Sequence, residues 1–138
     1  MSPDGKSTIL LAEDEQPYRS SLLALLQKSG YNVIVAVDGL DALERARDHK
    51  GKIDLLLSNV QMPRMTGVEL ATQLCIERPE MRVLLMSGVA AGMLVLSKDW
   101  QFLPKPFMFQ ILKQRIESML KDKPQSNCDP SDFGSPAQ

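Results

Sequence analysis

The 138-residue sequence is poor in aromatic residues and carries almost no net charge. Aromatic side chains make up 5% of it, and its 16 basic and 17 acidic residues leave a formal net charge of −1. This balance argues against a broad electrostatic surface for nucleic acid or an anionic membrane. The apolar runs fall far short of the roughly 20 residues that span a bilayer, and the N-terminus lacks the pattern of a signal peptide. We therefore expect a cytoplasmic protein.

Cysteine is also scarce, with two in the whole sequence. Cys75 lies in an apolar helical stretch and Cys128 in a polar tail, so the sequence favours two reduced thiols over a bridge. Hydrophobic residues make up 43%, enough to bury one core without disulfides or metal ions.

What the sequence does contain is an alternation of short apolar runs and helical patterns. Runs typical of buried strands cover 8–12, 32–37, 53–58, 82–86 and 101–103. Patterns typical of helices cover 16–29, 40–49, 68–78 and 107–120, and a short helix is expected within 88–99. The alternation predicts an α/β fold with a flavodoxin-like, doubly wound, five-stranded parallel sheet of order 2-1-3-4-5 and helices on both faces.

One domain is expected over residues 8–121. Residues 1–7 are polar and are predicted to be loose. Residues 122–138 are rich in proline, serine, aspartate and glycine, a composition that cannot bury a core. They are predicted to form a disordered tail or the start of a linker.

Polar side chains stand where the predicted strands end. Glu13 and Asp14 follow the first strand, and Asn59, Ser87 and Lys105 follow the third, fourth and fifth. Ligands of doubly wound sheets bind beyond the carboxyl ends of the strands. Adjacent acids can ligate Mg²⁺, while a lysine and a hydroxyl can contact phosphoryl oxygens. Taken singly, each residue could equally start a helix, cap one or lie in a loop, so only their joint placement points to a site.

Four segments resemble, in the same order, the signatures of response regulator receivers of bacterial two-component systems. They are LLAEDE at 10–15, DLLLSNVQMPRMTGVEL at 54–70, LLMSG at 84–88 and LPKPF at 103–107. The resemblance covers about residues 7–121. It implies a phosphorelay switch rather than an enzyme: an aspartate after the third strand takes a phosphoryl group from a phosphohistidine, Mg²⁺ screens the charge, and the domain shifts between two states.

The resemblance also assigns the metal ligands. Glu13 and Asp14 correspond to the acidic pair, with Asp14 the more direct ligand. The backbone carbonyl of Gln61 and the residue at position 59 complete the implied Mg²⁺ shell.

Three further residues acquire roles in switching or in phosphate contact by the same resemblance. Ser87 corresponds to the switch hydroxyl, Phe102 to the switch aromatic and Lys105 to the phosphate-contacting lysine. The bond from Lys105 to Pro106 resembles one that receivers hold in the cis form.

The main departure from the family pattern is Asn59, which stands at the phosphoacceptor position. A carboxamide is neutral and poorly nucleophilic, so it should not form a stable acyl phosphate. It also removes one negative charge facing Mg²⁺, an interaction of order 4 kcal/mol at about 4 Å and an effective dielectric of about 20, before desolvation. We therefore expect weakened Mg²⁺ binding. Two explanations fit Asn59: a natural pseudo-receiver, or an aspartate replaced to hold the unphosphorylated state.

The implied partners are a histidine kinase or phosphotransfer protein and an effector protein. The expected effector face comprises the fourth strand, residues 88–99 and the fifth strand. The spacing from Ser87 to Lys105 is tighter than receivers usually show, so the intervening helix should be short, irregular or displaced. Met93, Leu94, Val95 and Trp100 would lie on this face, and inward packing of these side chains is the expected arrangement.

Two other functional classes compete with this interpretation. A metal-dependent phosphatase of similar topology needs an aspartate nucleophile after the first strand and another acid two residues later, but Gln16 stands at that distance from Asp14. A flavin- or nucleotide-binding module needs a glycine-rich phosphate loop there, where the sequence has EDEQP.

Overall fold

The computed structural model describes residues 6–88 and 100–121. Its strands are β1 (Thr8–Ala12), β2 (Asn32–Ala36), β3 (Leu55–Asn59), β4 (Arg82–Ser87) and β5 (Gln101–Pro104). Its helices are α1 (Gln16–Lys28), α2 (Gly39–Asp48), α3 (Gly67–Glu77) and α4 (Phe109–Lys121). The predicted tail and nearly all of the predicted short helix and loose N-terminus lie outside the described residues.

All five strands are parallel, in the order β2-β1-β3-β4-β5, which confirms the predicted fold. Every residue of β1, β3 and β4 is buried. These strands have near-continuous apolar sequences because helices cover both faces of the sheet.

Each face of the sheet has its own hydrophobic core, since successive strand residues point to opposite faces. On one face Leu10 and Leu56 pack with Leu43 of α2 and Leu70 of α3. On the other, residues of β1 and β3 pack with α1 and α4, for example Leu11 with Leu22, Leu57 and Ile116. The two cores fix the strands from both sides, so the positions of their carboxyl ends are fixed as well.

Two expectations about individual side chains are tested by these cores. Trp100 is 7% exposed and belongs to the core on the α2 and α3 side, so its predicted inward packing is confirmed. Residues 93–95 lie outside the described residues. Cys75 is buried in α3 and is disulfide-bonded, so the expectation of a reduced thiol is wrong there.

Two elements begin two residues later than the sequence predicts, and most of the other boundaries differ by one residue. Strand β3 begins two residues later than predicted and includes Asn59. Helix α4 begins at Phe109 rather than Phe107. Phe107 instead contacts Tyr18 of α1 edge to face, with ring centroids 6.1 Å apart. The peptide bond between Lys105 and Pro106 is cis, as the resemblance implied.

The loop between β3 and α3 is fastened to the turn between β2 and α2. Arg64 has a left-handed backbone, with φ of 70°. Its guanidinium donates two hydrogen bonds to Asp38, with Nε–Oδ2 and Nη2–Oδ1 distances of 2.8 and 3.1 Å. A Cβ at Gly39 would overlap with the carbonyl oxygen of Met65, so the two backbones are in direct contact. This loop carries Gln61, and its conformation is therefore set from outside the loop.

Helix α3 starts directly against the end of β3. Thr66 and Glu69 form a capping box at its first turn. The Gly67 N–H donates to the Val60 carbonyl at 2.8 Å. A Cβ at Gly67 would overlap with the Asn59 carbonyl oxygen, so only glycine permits this approach.

The Gly67→Ala variant should lower the free energy of unfolding by about 1–3 kcal/mol, because the methyl group must displace the backbone at the end of β3. Urea unfolding measures this loss. Gly88→Ala is the matched control, since no described atom lies within 4 Å of a Cβ there; it should stay within about 0.5 kcal/mol. Equal stability of the two variants would contradict the close approach.

The Asp38→Asn variant should lower the melting temperature at neutral pH. Arg64 holds the pKa of Asp38 below its ordinary value of 3.8. A lowered pKa means stabilisation that is present above that ordinary value and is lost as the pH falls through the folded pKa. The difference between Asp38→Asn and the unaltered chain should therefore shrink in acid.

Two further variants test the same contact. Asp38 also caps α2 by accepting a hydrogen bond from the Asp41 N–H at 2.8 Å, and asparagine keeps this acceptor. Asp38→Ala should thus cost about 1 kcal/mol more than Asp38→Asn. In an Arg64→Gln background, Asp38→Asn should add little; an undiminished effect would show that the ion pair is unimportant.

Candidate functional site

A pocket of about 160 Å³ lies at the carboxyl ends of β1, β3 and β4 and beside the end of β5. It is lined by Asp14, Glu15, Asn59, Gln61, Met86, Ser87, Gly88 and Lys105. Parallel strands end at one edge of a sheet, which explains why residues far apart in sequence meet here.

The structure brings most of the predicted site residues together. Five of them line the pocket: Asp14, Asn59, Gln61, Ser87 and Lys105. Glu13 is fully buried and contacts Asn59 and Lys105. Phe102 is only partly buried and packs against the core on the α2 and α3 side, so it is separate from the pocket lining.

Asn59 bridges the two acids. Its Nδ2 donates to Glu13 Oε2 at 2.6 Å and to Asp14 Oδ1 at 3.0 Å. Its Oδ1 is buried and has no hydrogen-bond partner among the described residues. The opposite orientation of the amide would set its oxygen against two carboxylates. The acids therefore determine which end of the amide faces them.

Glu13 is a buried carboxylate surrounded by donors. Besides Asn59, it accepts a hydrogen bond from the Glu15 N–H at 3.0 Å, and the Lys105 ammonium lies 3.5 Å from its Oε1. Burial raises the pKa of Glu13 above its ordinary value, although the Glu15 N–H, Lys105 and Asn59 act in the opposite direction. Losing any one of these donors would leave the carboxylate less compensated.

Lys105 is shared between the pocket and an aromatic ring. Its Nζ lies 4.6 Å from the centroid of the Tyr18 ring, within the range of a cation–π interaction. Burial, together with the charges of Glu13 and Glu15, raises the pKa of Tyr18 to about 12, so its hydroxyl stays protonated at neutral pH. Lys105 thus has internal partners on two sides.

Sequence reasoning missed Tyr18 and the fastening of the loop by Arg64. Tyr18 lies in the first turn of α1, shortly after the acidic pair, and this position could have placed its ring near the pocket. Nothing in the sequence pairs Arg64 with Asp38, which lies 26 positions away. No helix within residues 6–88 and 100–121 has the length and apolar character needed to cross a membrane.

Comparisons with known proteins point in one direction. The sequence model of the response regulator receiver domain matches residues 9–117. The response regulator receiver protein CpdR of Brucella abortus is 36% identical over 116 residues, which cover 81% of this chain and 95% of CpdR. The sensor kinase CckA of the same organism is 36% identical over 121 residues, or 85% of this chain but only 13% of the kinase.

A solved structure agrees with the sequence comparisons. The receiver domain of the hybrid histidine kinase CckA superposes with a TM-score of 0.73 at 36% identity, and the match covers 83% of this chain and 100% of that domain. The comparisons do not favour the phosphatase alternative. On the family match, the close relatives and the sheet of order β2-β1-β3-β4-β5, the chain belongs to the response regulator receiver domain family.

Proposed function

We propose that this chain is a receiver module that signals by protein contact and does not accept a phosphoryl group at residue 59. Receiver domains are generally signalling switches that interact with histidine kinases or phosphotransfer proteins, and they generally bind Mg²⁺ at the site of phosphorylation. In this proposal the module keeps the switch architecture but lacks the covalent step.

The observation that carries the proposal is the position of Asn59 in the pocket and the hydrogen bonds of its amide. It ends β3 inside the pocket, where it faces the acidic pair and shares the lining with Ser87 and Lys105. A carboxylate here would be an anionic nucleophile, whereas the amide is neutral and its nitrogen already donates to both acids. We therefore assign the phosphoacceptor position to residue 59 and regard it as inactive.

The other roles in the proposal follow from the same pocket. Ser87 is the proposed switch hydroxyl and Phe102 the switch aromatic. Lys105 is the proposed phosphate-contacting residue, and its ammonium contacts Glu13 and the Tyr18 ring. We also propose that the module itself is not an enzyme.

Mg²⁺ should bind weakly to this chain. The proposed ligands are Glu13, Asp14 and the backbone carbonyl of Gln61. Asn59 directs a donor rather than an acceptor between the two carboxylates, so the donor set does not fit the cation as it stands. Oxygen ligands are what Mg²⁺ requires, and the Asn59 oxygen faces elsewhere.

The proposed partners are proteins: a histidine kinase or phosphotransfer protein, and an effector bound at the face of β4, residues 88–99 and β5. A separate apolar hollow of about 410 Å³, between α1 and the segment before α4, adjoins the acidic pocket, with Tyr18, Pro106 and Phe107 in its lining. Such a surface suits a protein segment better than a nucleic acid, and the net charge of −1 agrees. We place this activity in the cytoplasm.

Incubation with acetyl phosphate and Mg²⁺, followed by intact mass measurement, tests the central claim. The unaltered chain should gain no mass, because an amide cannot hold the phosphoryl group. Asn59→Asp should gain one phosphoryl unit, and adding Asp14→Asn should abolish that gain. A stable adduct on the unaltered chain would refute the proposal, and an inert Asn59→Asp variant would refute the assignment of the phosphoacceptor position.

Calorimetric titration tests the expected loss of Mg²⁺ affinity. Asn59→Asp should bind Mg²⁺ at least about tenfold more tightly than the unaltered chain, because a third carboxylate then faces the cation. Gln114→Glu on the exposed side of α4 is the matched control, since it adds the same charge at a position outside the pocket lining. Equal affinity of Asn59→Asp and the control would contradict the expectation.

A further inference from the structure

We propose that the Asn59 carboxamide takes the place of a divalent cation in holding the acidic pair together, so that the pocket is assembled without metal. The inference deepens the proposed function and rests on it for the choice of Mg²⁺ as the probe. It concerns what keeps the pocket in shape, which is a separate question from phosphoryl transfer.

The first support is geometric. Two carboxylates side by side repel each other unless a positive or donating group lies between them. The Asn59 NH₂ group has two hydrogens, and it uses one for each acid, at 2.6 Å to Glu13 and 3.0 Å to Asp14. Bridging two carboxylates in this way is the structural task that a bound cation would otherwise perform.

The second support is the buried oxygen of the same amide. Asn59 is 5% exposed, and its Oδ1 has no hydrogen-bond partner in the described parts of the chain. The side chain leaves this acceptor unsatisfied while it donates twice to the acids. A cation would need the oxygen turned towards it, which breaks both hydrogen bonds. Metal binding must therefore compete with contacts that are already made.

The third support is that the remaining needs of Glu13 are also met internally. The Glu15 N–H and the Lys105 ammonium complete its surroundings, at 3.0 and 3.5 Å. A carboxylate that is fully buried is stable only when such partners compensate it. With Asn59 in place, the acidic pair has donors from three sides and no structural requirement for a metal ion.

Melting temperatures with and without about 10 mM MgCl₂, at matched ionic strength, test the inference. The melting temperature of the unaltered chain should rise by less than about 1 °C on adding Mg²⁺, because the Asn59 amide already bridges the two carboxylates. In EDTA, Asn59→Asp should melt at a lower temperature than the unaltered chain, since three carboxylates then face each other. With Mg²⁺ its melting temperature should rise by about 5 °C or more. Gln114→Glu should behave like the unaltered chain.

The Asn59→Ala variant separates this inference from a simple loss of charge. It removes both donors without adding a ligand, so it should melt lower in EDTA and respond to Mg²⁺ more than the unaltered chain does. If charge alone mattered, Mg²⁺ would raise the melting temperature of Asn59→Ala no more than that of the unaltered chain. Asn59→Ser, whose short side chain cannot reach both acids, serves the same purpose if the alanine variant folds poorly.

Two results would overturn the inference. One is a Mg²⁺ response of the unaltered chain as large as that of Asn59→Asp. The other is an Asn59→Ala or Asn59→Ser variant that behaves like the unaltered chain, either in its stability in EDTA or in its lack of response to Mg²⁺ while Asn59→Asp responds. Either result leaves the phosphorylation experiment unaffected, so failure of this inference can be told apart from failure of the proposed function.

Discussion

The structure of the pocket depends on the compensation of one buried charge, the carboxylate of Glu13. A carboxylate without access to water is tolerated only when donors surround it, and here they come from three different parts of the chain. Asn59 approaches from β3, Lys105 from the segment after β5, and the Glu15 N–H from the start of α1. The charge therefore fixes the relative positions of three elements at the same edge of the sheet.

The rest of the fold serves to hold that edge. Cores on both faces leave the central strands no freedom to slide, because a shift of one residue would exchange their two apolar surfaces. The contact of Gly67 with the end of β3 fixes where α3 begins. The pairing of Arg64 with Asp38 holds the intervening loop from the side. Together these contacts determine the shape of the pocket.

Much of this architecture is predictable from sequence because it depends on periodicity. Alternating apolar runs and helical patterns imply a parallel sheet, and the carboxyl ends of parallel strands must meet, which is how Asp14, Ser87 and Lys105 come to share a pocket. The family resemblance added roles to those positions. The late start of β3 and the late start of α4 were missed, since apolar residues such as Ile53 and Phe107 pack well outside regular elements too.

The orientation of individual side chains and their pairing across loops cannot be predicted from the sequence. The residue type at position 59 predicts lost charge, but only coordinates show that the amide nitrogen rather than its oxygen faces the acids. The pairing of Arg64 with Asp38 has no periodic signal, because it joins two loops. The disulfide at Cys75 was likewise not foreseen, since pattern and composition carry no information on which distant side chains meet.

The position of Lys105 has a consequence for communication across the domain. Its ammonium lies between Glu13 inside the pocket and the Tyr18 ring outside it, and that ring in turn touches Phe107. Displacing either ring would alter the electric field that Glu13 experiences. A change in the packing of the Tyr18 and Phe107 rings would therefore reach Glu13 through the Lys105 side chain, with no covalent chemistry involved.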